Sequence, residues 1–285
     1  MNAPTSTVPA SQILDNVDIQ RRSKSRLGWA IADSWTVTQR DLIHWIRSPG
    51  PIVSGLAFPA IMVLLFGFVF GSSMSVAGGD YRQYLMPGLF AMTMAMGVGE
   101  TMSAMNADAN RGITDRFRSM PMSPSAVVAG RSMADLFNSV LHLVILIGCG
   151  LLVGWRAEGS FGQTMAAVCL LLLLRFAMLW VGIYLGLVIK SPETVSGVYG
   201  LLFPIAIVSN TFADPGQMPA WLGVIAEWNP LSFTVTALRE LFGNPVGVGG
   251  SWIVQNALFM ATVVPLVLTV VFFLLSVRAY RRLSR

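Results

Sequence analysis

Six long apolar runs constrain the fold of this chain more than any other feature of its sequence. They extend approximately over residues 52–70, 84–107, 133–153, 161–189, 195–212 and 252–277. A helix needs about 20 apolar residues to cross a hydrocarbon core about 30 Å thick, and each run is close to that length. Only 12% of the 285 residues are charged, against about 25% in a typical soluble domain. The sequence therefore predicts an all-α polytopic membrane protein with six transmembrane helices.

The positive charges indicate how the six predicted helices are oriented, because short cytoplasmic loops of membrane proteins are enriched in Lys and Arg. With a cytoplasmic N-terminus, fifteen of the 19 Lys and Arg residues fall on the cytoplasmic side, whereas Arg82, Arg156 and Arg239 fall outside. We therefore expect a multi-pass protein of the cytoplasmic membrane with both termini in the cytoplasm. This orientation accounts for the net charge of +5 without a nucleic-acid partner.

The residues before the first apolar run predict two further segments. Residues 1–26 are polar and end in a basic cluster, which predicts a disordered cytoplasmic tail. Residues 27–48 place apolar and charged side chains on different helical faces, which predicts an amphipathic helix on the inner leaflet. Residues 49–285 would then form the transmembrane domain. The interface helix would hold tryptophans at headgroup depth and arginines toward the cytosol, namely Trp35, Trp45, Arg40 and Arg47.

A charged turn at residues 108–124 separates the second and third apolar runs. Prolines at its C-terminal end interrupt the helical pattern, and arginines flank an aromatic side chain in its middle. A solvated basic loop would explain the charges, but it does not explain Phe117 between Arg116 and Arg118. We interpret the turn as a handle through which a component outside the membrane moves the helices on either side.

Two charged side chains lie within the predicted spans, Glu100 in the second and Arg175 near the middle of the fourth. A charge at the centre of a transmembrane helix costs about 2.5–3.5 kcal/mol on insertion scales, so each should face protein, water or a partner. The two side chains either form a structural ion pair or take part in handling substrate or protons. His142, in the third span, is interpreted as a hydrogen-bonded packing residue.

Residues 210–243 are too apolar for an ordinary external loop, yet prolines and charges prevent either half from spanning. We predict a re-entrant extracellular hairpin of two short helices before the last span. The hairpin should divide at Asn229 and Pro230, because a residue that precedes proline avoids helical geometry. Trp221 and Trp228 are suited to the membrane interface. Such a hairpin would place a semi-polar lid over the outward end of a transport path.

The sequence lacks the motifs of common hydrolytic sites. It contains no G-x-x-x-x-G-K-[ST] P-loop, no H-E-x-x-H and no G-x-S-x-G. Its two cysteines lie in separate apolar runs without metal-ligand spacing. We therefore predict no catalytic residue, no metal and no cofactor on this chain. If ATP drives the protein, another subunit must hydrolyse it.

Several motifs, in sequence order, resemble one known family. The most specific is DRFRSMPMSPSAVVAGRSMADL at residues 115–136. It is accompanied by RSPGP before the first run, YLMPGLF at 84–90, SPETVSG at 191–197, and MPAWL with EWNP within 218–230. Together these stretches resemble the type-2 ABC exporter permeases, particularly the daunorubicin-resistance type of bacterial membrane subunit. The long polar tail and Asp214 depart from that family's pattern.

This resemblance implies a pore made of two permease chains, either a homodimer or a pair with a related permease, above two separate ABC ATPase subunits. ATP and Mg²⁺ would be bound by those partners, and the cargo would be a hydrophobic drug-like compound or a lipid. The interface helix and the charged turn would dock onto each ATPase through charged and apolar contacts. The implied coupling residues are Asp115, Arg116, Phe117, Arg118, Met120 and Pro121.

Two other functions agree with the sequence. A proton-coupled secondary drug antiporter would use Glu100, Arg175 and His142 as its ionisable groups. A non-transporting membrane scaffold would bind an ATPase without moving cargo. The requirement for a nucleotide-hydrolysing partner separates the exporter from the antiporter, and cargo movement separates the exporter from the scaffold.

Overall fold

The computed structural model describes residues 50–71, 75–76, 79–110, 124–246 and 251–282, and these residues are mostly helical. A π-helical turn at Phe66–Phe70 extends the first helix, and a 3-10 turn covers Pro215–Gln217. Two short strands, β1 (Ser75–Val76) and β2 (Gly79–Asp80), pair antiparallel. The helices are α1 (Gly50–Leu65), α2 (Tyr81–Asn110), α3 (Pro124–Val153), α4 (Phe161–Val188), α5 (Pro192–Ile207), α6 (Ala220–Trp228), α7 (Pro230–Phe242), α8 (Trp252–Gln255) and α9 (Ala257–Arg282).

Several predicted features lie outside the described residues. These are the tail at 1–26, the interface helix with Trp35, Arg40, Trp45 and Arg47, and the coupling residues from Asp115 to Pro121. The helices that border the charged turn are described: α2 continues to Asn110 and α3 begins at Pro124. Proline is favoured in the first turn of a helix, where its missing N–H costs nothing. Pro124 therefore starts the third helix at the predicted C-terminal end of the charged turn, whereas α2 continues past residue 108, where the predicted turn begins.

Helix length and hydropathy identify this chain as a multi-pass membrane protein. In the described residues, three helical stretches are long and apolar enough to cross a membrane: Asp135–Val153, Phe161–Val188 and Ala257–Tyr280. Two shorter apolar helices, Gly55–Val69 and Pro192–Ile207, coincide with two further predicted spans. The remaining predicted span lies in α2, which has 30 residues but a more polar composition. The count of six spans stays a prediction.

Short polar motifs set the first residues of three helices. The Ser160 side chain accepts a hydrogen bond from the backbone N–H of Gln163, which begins α4 with a capping box. Ser191 accepts from the backbone N–H of Thr194 ahead of α5, and Asn229 accepts from that of Leu231 ahead of α7. In α5 and α7 a proline then occupies the first helical position, where its fixed φ angle suits the helix. Local sequence therefore explains these boundaries.

Helices α2, α4 and α9 pack in series, with α4 between the other two. Glycines allow α4 to approach α2 closely: a Cβ built on Gly182 would lie 2.7 Å from the Val98 carbonyl oxygen, and one on Gly186 would lie 2.6 Å from that of Met102. Small residues at this spacing are typical of close helix contacts in membranes. In the most apolar stretch of α4, 56% of the residues are buried inside the chain, but in that of α9 only 11% are. Helix α9 thus presents an apolar exterior, which lipid or another subunit can cover.

Candidate functional site

A stripe of polar side chains runs along the otherwise apolar helix α3. Asp135, Asn138, Ser139 and His142 occupy positions i, i+3, i+4 and i+7 of the helix and therefore share one helical face. Ser139 and His142 are buried. We use the name inner cluster for this stripe together with the polar side chains that meet it from α2 and α4, which are Glu100, Thr101 and Arg175.

Arg175 on α4 is held by the α3 stripe and by a glycine on α2. Its side chain is 4% exposed, and Nε donates a hydrogen bond of 2.7 Å to Ser139 Oγ. Ser139 Oγ in turn donates to the backbone oxygen of Asp135 at 2.6 Å, and Thr101 Oγ1 lies 3.3 Å from Asp135 Oδ2. A Cβ built on Gly97 would lie 1.8 Å from Arg175 Nη1. Glycine at position 97 therefore makes the space that the guanidinium occupies.

The structure brings Glu100 and Arg175 into one cluster without a direct ion pair between them in the described part of the chain. The carboxylate of Glu100 points toward α1, where a Cβ built on Gly55 would lie 3.0 Å from Oε1 and 3.8 Å from His142 Cε1. Arg175 and Asp135 are the charged groups within electrostatic range of Glu100. Unlike Arg175, Glu100 is exposed on the surface of the single chain. The carboxylate and the guanidinium thus face different environments.

Three buried polar atoms of the inner cluster have no hydrogen-bond partner among the described residues: Asn138 Oδ1, His142 Nε2 and Arg175 Nη1. The structure buries His142 as expected of a packing residue, but Nε2 lacks the predicted hydrogen bond. Each unsatisfied buried group costs about 1–3 kcal/mol. A concentration of such groups within apolar helices is therefore unfavourable for stability, and polar residues at such positions in membrane proteins commonly mark substrate or ion pathways.

A second polar assembly surrounds Arg239 of α7, at the opposite end of α2. Arg239 is 1% exposed. Its Nε donates to the Tyr84 backbone oxygen at 2.9 Å, and Nη2 donates to the backbone oxygens of Asn210 at 2.8 Å and Thr211 at 3.3 Å. Its Cζ lies 3.4 Å from the centroid of the Tyr84 ring, a cation–π contact. We use the name outer cluster for Arg239, Tyr84, Asn210, Thr211, Ser232 and Thr236.

The outer cluster connects three parts of the chain that are distant in sequence. Tyr84 Oη donates to the Asn210 backbone oxygen at 3.1 Å. The backbone N–H of Asn210 donates to Ser232 Oγ at 3.0 Å, and its side-chain amide donates to Thr236 Oγ1 at 2.8 Å. These bonds join the start of α2, the segment after α5, and α7. In the sequence Arg239 is recognisable only as an external positive charge, and this role is not predicted.

Of the residues predicted for the hairpin, Trp228, Asn229 and Pro230 lie at the boundary between α6 and α7, and Trp221 lies near the start of α6. Helix α6 ends at Trp228 and α7 begins at Pro230, so the predicted division at Asn229 and Pro230 is confirmed. The Asn229 amide nitrogen also donates to the backbone oxygens of Ile205 at 2.8 Å and Val208 at 2.7 Å, which attaches this boundary to the end of α5. Trp221 and Trp228 are 67% and 68% exposed. Their depth in a membrane stays a prediction.

The C-terminal end of α7 is anchored by an aromatic and polar contact. The Trp155 ring packs edge-on against Phe90 and Phe242, with ring centroids 5.1 Å apart in both pairs. Trp155 Nε1 donates to Asn244 Oδ1 at 2.9 Å, and the Asn244 amide donates to Gln83 Oε1 at 2.9 Å. The preceding residue, Gly243, has φ of 70°, a left-handed conformation that glycine adopts without strain. Both ends of α7 are therefore attached to the rest of the bundle.

Comparison with known proteins identifies the family of this chain. Residues 33–242 match the ABC-2 type transporter family. The chain is 31% identical to the daunorubicin resistance ABC transporter permease protein DrrB1 of Streptomyces coeruleorubidus, over 97% of this chain and 95% of the relative. The chain belongs to the ABC-2 type transporter family. The predicted resemblance is confirmed.

Further relatives of this ABC-2 chain are the putative transport permeases ycf38 of two algae. The protein from Cyanophora paradoxa is 23% identical over 86% of this chain and 84% of its own length. The protein from Porphyra purpurea is 21% identical over 73% of each. Each of these relatives is named as a permease. This agrees with the expectation that this chain is not itself the ATP-hydrolysing component.

The matched region of the ABC-2 family ends at Phe242, the last residue of α7, and so contains both polar clusters. In the described residues, no group of three or more His, Cys, Asp or Glu side chains could hold a metal ion. The clusters offer hydrogen bonds, charges and aromatic surfaces. This chemistry is suited to binding and to conformational change within a membrane.

Proposed function

We propose that this chain is the permease subunit of an ATP-driven exporter that moves a hydrophobic drug-like compound or a lipid out across the cytoplasmic membrane. The observation that carries this proposal is the match to a daunorubicin resistance permease over 97% of the chain. A separate ABC ATPase would bind ATP and Mg²⁺, since the sequence contains no P-loop. A second permease, identical or related, would complete the pore.

The connection between α2 and α3 supports a coupling role for the charged turn. Thr101 of α2 lies 3.3 Å from Asp135 of α3, a hydrogen bond that joins the two helices on either side of the predicted turn at 108–124. Asp135 belongs to the same stripe as Ser139, which holds Arg175. A displacement of the turn by an ATPase would therefore move the inner cluster. The coupling residues would be the six that the resemblance implies, with Phe117 and Met120 as apolar anchors.

The proposed topology has six spans, both termini in the cytoplasm and a re-entrant hairpin made of α6 and α7 on the outer side. Helix α2 has 30 residues, and a helix of that length extends about 45 Å. It is therefore long enough to join an outer cluster at Tyr84 to a cytoplasmic turn after Asn110. The outer cluster, whose backbone and side-chain bonds attach the hairpin, would lie at the outward end of the path.

The exporter can be tested in inverted vesicles that contain this chain with a co-expressed ABC ATPase. Uptake of a lipophilic dye should require ATP, should stop with vanadate, and should disappear when the Walker A lysine of the ATPase is replaced. A protonophore should leave the uptake unchanged. Uptake that continues with the inactive ATPase would contradict the proposal.

The inner cluster favours one alternative, the proton-coupled secondary antiporter. Glu100 and His142 both lie within 4 Å of a Cβ built on Gly55, within apolar helices, and Glu and His side chains occur in proton relays of membrane proteins. In that case a protonophore would abolish uptake and loss of the ATPase would not. Binding of an ATPase without any dye movement in either assay would indicate the scaffold.

A further inference from the structure

An asparagine near the end of α2 attaches this helix to the corner between α4 and α5. Asn106 is 3% exposed, and its side-chain amide nitrogen donates a hydrogen bond to the backbone oxygen of Ile189, the residue that follows α4. The amide nitrogen of Asn110, the last residue of α2, donates to Asn106 Oδ1 at 3.0 Å. Two consecutive hydrogen bonds therefore connect the end of α2 to the corner.

The corner between α4 and α5 is short, and both of its ends are fixed. It consists of residues 189–191. The Ile189 backbone N–H donates to a carbonyl oxygen of α4 at 2.9 Å, and Ser191 Oγ accepts from the backbone N–H of Thr194 in α5 at 3.1 Å. Pro192, at the first position of α5, has a restricted φ angle. Because the corner has so little freedom, a displacement of Ile189 reaches α5.

Two further contacts of α2 with these helices are steric. A Cβ built on Gly99 would lie 1.8 Å from Tyr199 Cδ2 of α5, and one built on Gly186 of α4 would lie 2.6 Å from the Met102 backbone oxygen. Packing of this kind resists the approach of two helices more strongly than their separation. A hydrogen bond has a narrow range of distance and angle and so resists both. The Asn106 bond can therefore transmit motion in both directions.

We infer that Asn106 is a positioning residue that transmits displacement of the end of α2 to α5 through the backbone of Ile189. The inference rests on the proposed function, in which an ATPase acts at that end of α2, and it names the residue that carries the motion to α5. A purely structural role would be to satisfy a carbonyl group at the end of α4, since such groups lack partners within the helix. The two roles differ in what happens when the ATPase moves.

The link can be tested with a bimane fluorophore on a single cysteine of the otherwise cysteine-free full-length chain, in lipid nanodiscs with the co-expressed ABC ATPase. The label is placed at Gly200→Cys on α5 or at Gly148→Cys on α3, where an added Cβ would meet nothing within 4 Å. In this parent chain, trapping the ATPase with ATP and vanadate should change the fluorescence at both positions. Asn106→Ala should abolish the change on α5 and retain it on α3, which bonds to α2 independently of Asn106. A purely structural role would weaken both changes alike.

The matched control is Asn256→Ala, which also removes a side-chain amide that donates to a backbone oxygen, that of Trp252 at 2.9 Å. It should leave both fluorescence changes intact. An α5 change that survives Asn106→Ala would overturn the link, as would a parent chain in which α3 responds and α5 does not. If Asn106→Ala does not fold, a Gly-Gly insertion after the exposed Lys190 lengthens the corner and should abolish the α5 change; a retained change would overturn the link.

Dye export in the vesicle assay separates this inference from the proposed function. An α5 change that depends on Asn106, without ATP-dependent export, would contradict the proposed function and leave the link standing. ATP-dependent export together with an α5 change that Asn106→Ala retains would do the reverse. Absence of a fluorescence change at both labelled positions would contradict both.

Discussion

Arg239 and Arg175 are both buried, but the chain satisfies their charges in different ways. Arg239 donates to three backbone oxygens and lies over the Tyr84 ring. Arg175 has one hydrogen bond among the described residues, from Nε to Ser139, and its Nη1 has none. Carbonyl oxygens held by a folded backbone cannot move away, so the first arrangement is rigid. In the second arrangement, Arg175 Nη1 is available to form a hydrogen bond with another group.

Replacement of Arg239 should therefore destabilise the chain strongly. Arg239→Met keeps the volume but removes the guanidinium donor from the backbone oxygens of Tyr84, Asn210 and Thr211, which should cost about 1–3 kcal/mol. Arg239→Lys should recover part of the loss, because an ammonium keeps the charge but not the planar fork. The measurement is the unfolding temperature in detergent. Arg156→Met, at an exposed arginine, is the control, and an equal effect of both methionine variants would contradict the prediction.

Gly97 offers a test of how tightly Arg175 is enclosed. A Cβ at position 97 would lie 1.8 Å from Arg175 Nη1, so Gly97→Ala should displace the guanidinium and cost about 1–3 kcal/mol of overpacking. At Gly148 a Cβ would meet nothing within 4 Å, which makes Gly148→Ala the matched control. Both variants are compared by thermal unfolding in detergent. A Gly97→Ala chain as stable as the Gly148→Ala chain would show that Arg175 is not confined there.

Among the elements, α6 and α7 are attached to the bundle to different extents. Asn229 caps α7 and also donates to two backbone oxygens at the end of α5. Residues along α7 from Leu231 to Arg239 are buried, whereas α6 exposes large apolar side chains, among them Trp221 and Trp228. Helix α7 is therefore part of the core, and the exposed side of α6 is suited to an apolar environment.

The two roles of Asn229 can be separated by substitution. Asn229→Ser retains the cap but not the two donated bonds, whereas Asn229→Ala loses both. We expect Asn229→Ala to cost about 1 kcal/mol more than Asn229→Ser, which is the typical contribution of a helix cap. Ser191→Ala, which removes only the cap of α5, is the reference for a simple cap loss. The quantity measured is the free energy of unfolding; equal losses for the two Asn229 variants would contradict the double role.

At the scale of the whole molecule, α2 is the element that both polar clusters share. Tyr84 belongs to the outer cluster, and Glu100 and Thr101 belong to the inner one. Tyr84 and Thr101 lie in one helix, 17 positions apart, so the clusters are about 25 Å apart along it. The proposed cytoplasmic turn follows directly after the same helix. A motion of α2 would thus reach the turn, the inner cluster and the hairpin together.

The proposed orientation can be tested with single cysteines in a Cys149→Ala, Cys169→Ala background. A membrane-impermeant maleimide applied to whole cells should label cysteines at the exposed positions Ala213 and Glu158, which the topology places outside. Cysteines at Ser6, Ser119 and Ser284 should react only after the membrane is opened, because the topology places them in the cytoplasm. External labelling at position 119 would contradict the proposed inner position of the charged turn. Labelling of all five sites after solubilisation is the control for accessibility.

The membrane class, the approximate positions of the helices, the boundary at Asn229 and Pro230, and the family could all be predicted from the sequence. These features depend on composition, on the length of apolar runs and on local backbone preferences, all of which can be recognised without knowing neighbours in space. The polar stripe from Asp135 to His142 could also have been found, since its spacing is helical. Only the tertiary structure decided which polar groups meet: Arg239 bonds to Tyr84 across 155 residues of sequence, and Glu100 lies beside Gly55 while Arg175 turns to Ser139. Such pairings depend on how helices approach one another, which no local pattern specifies.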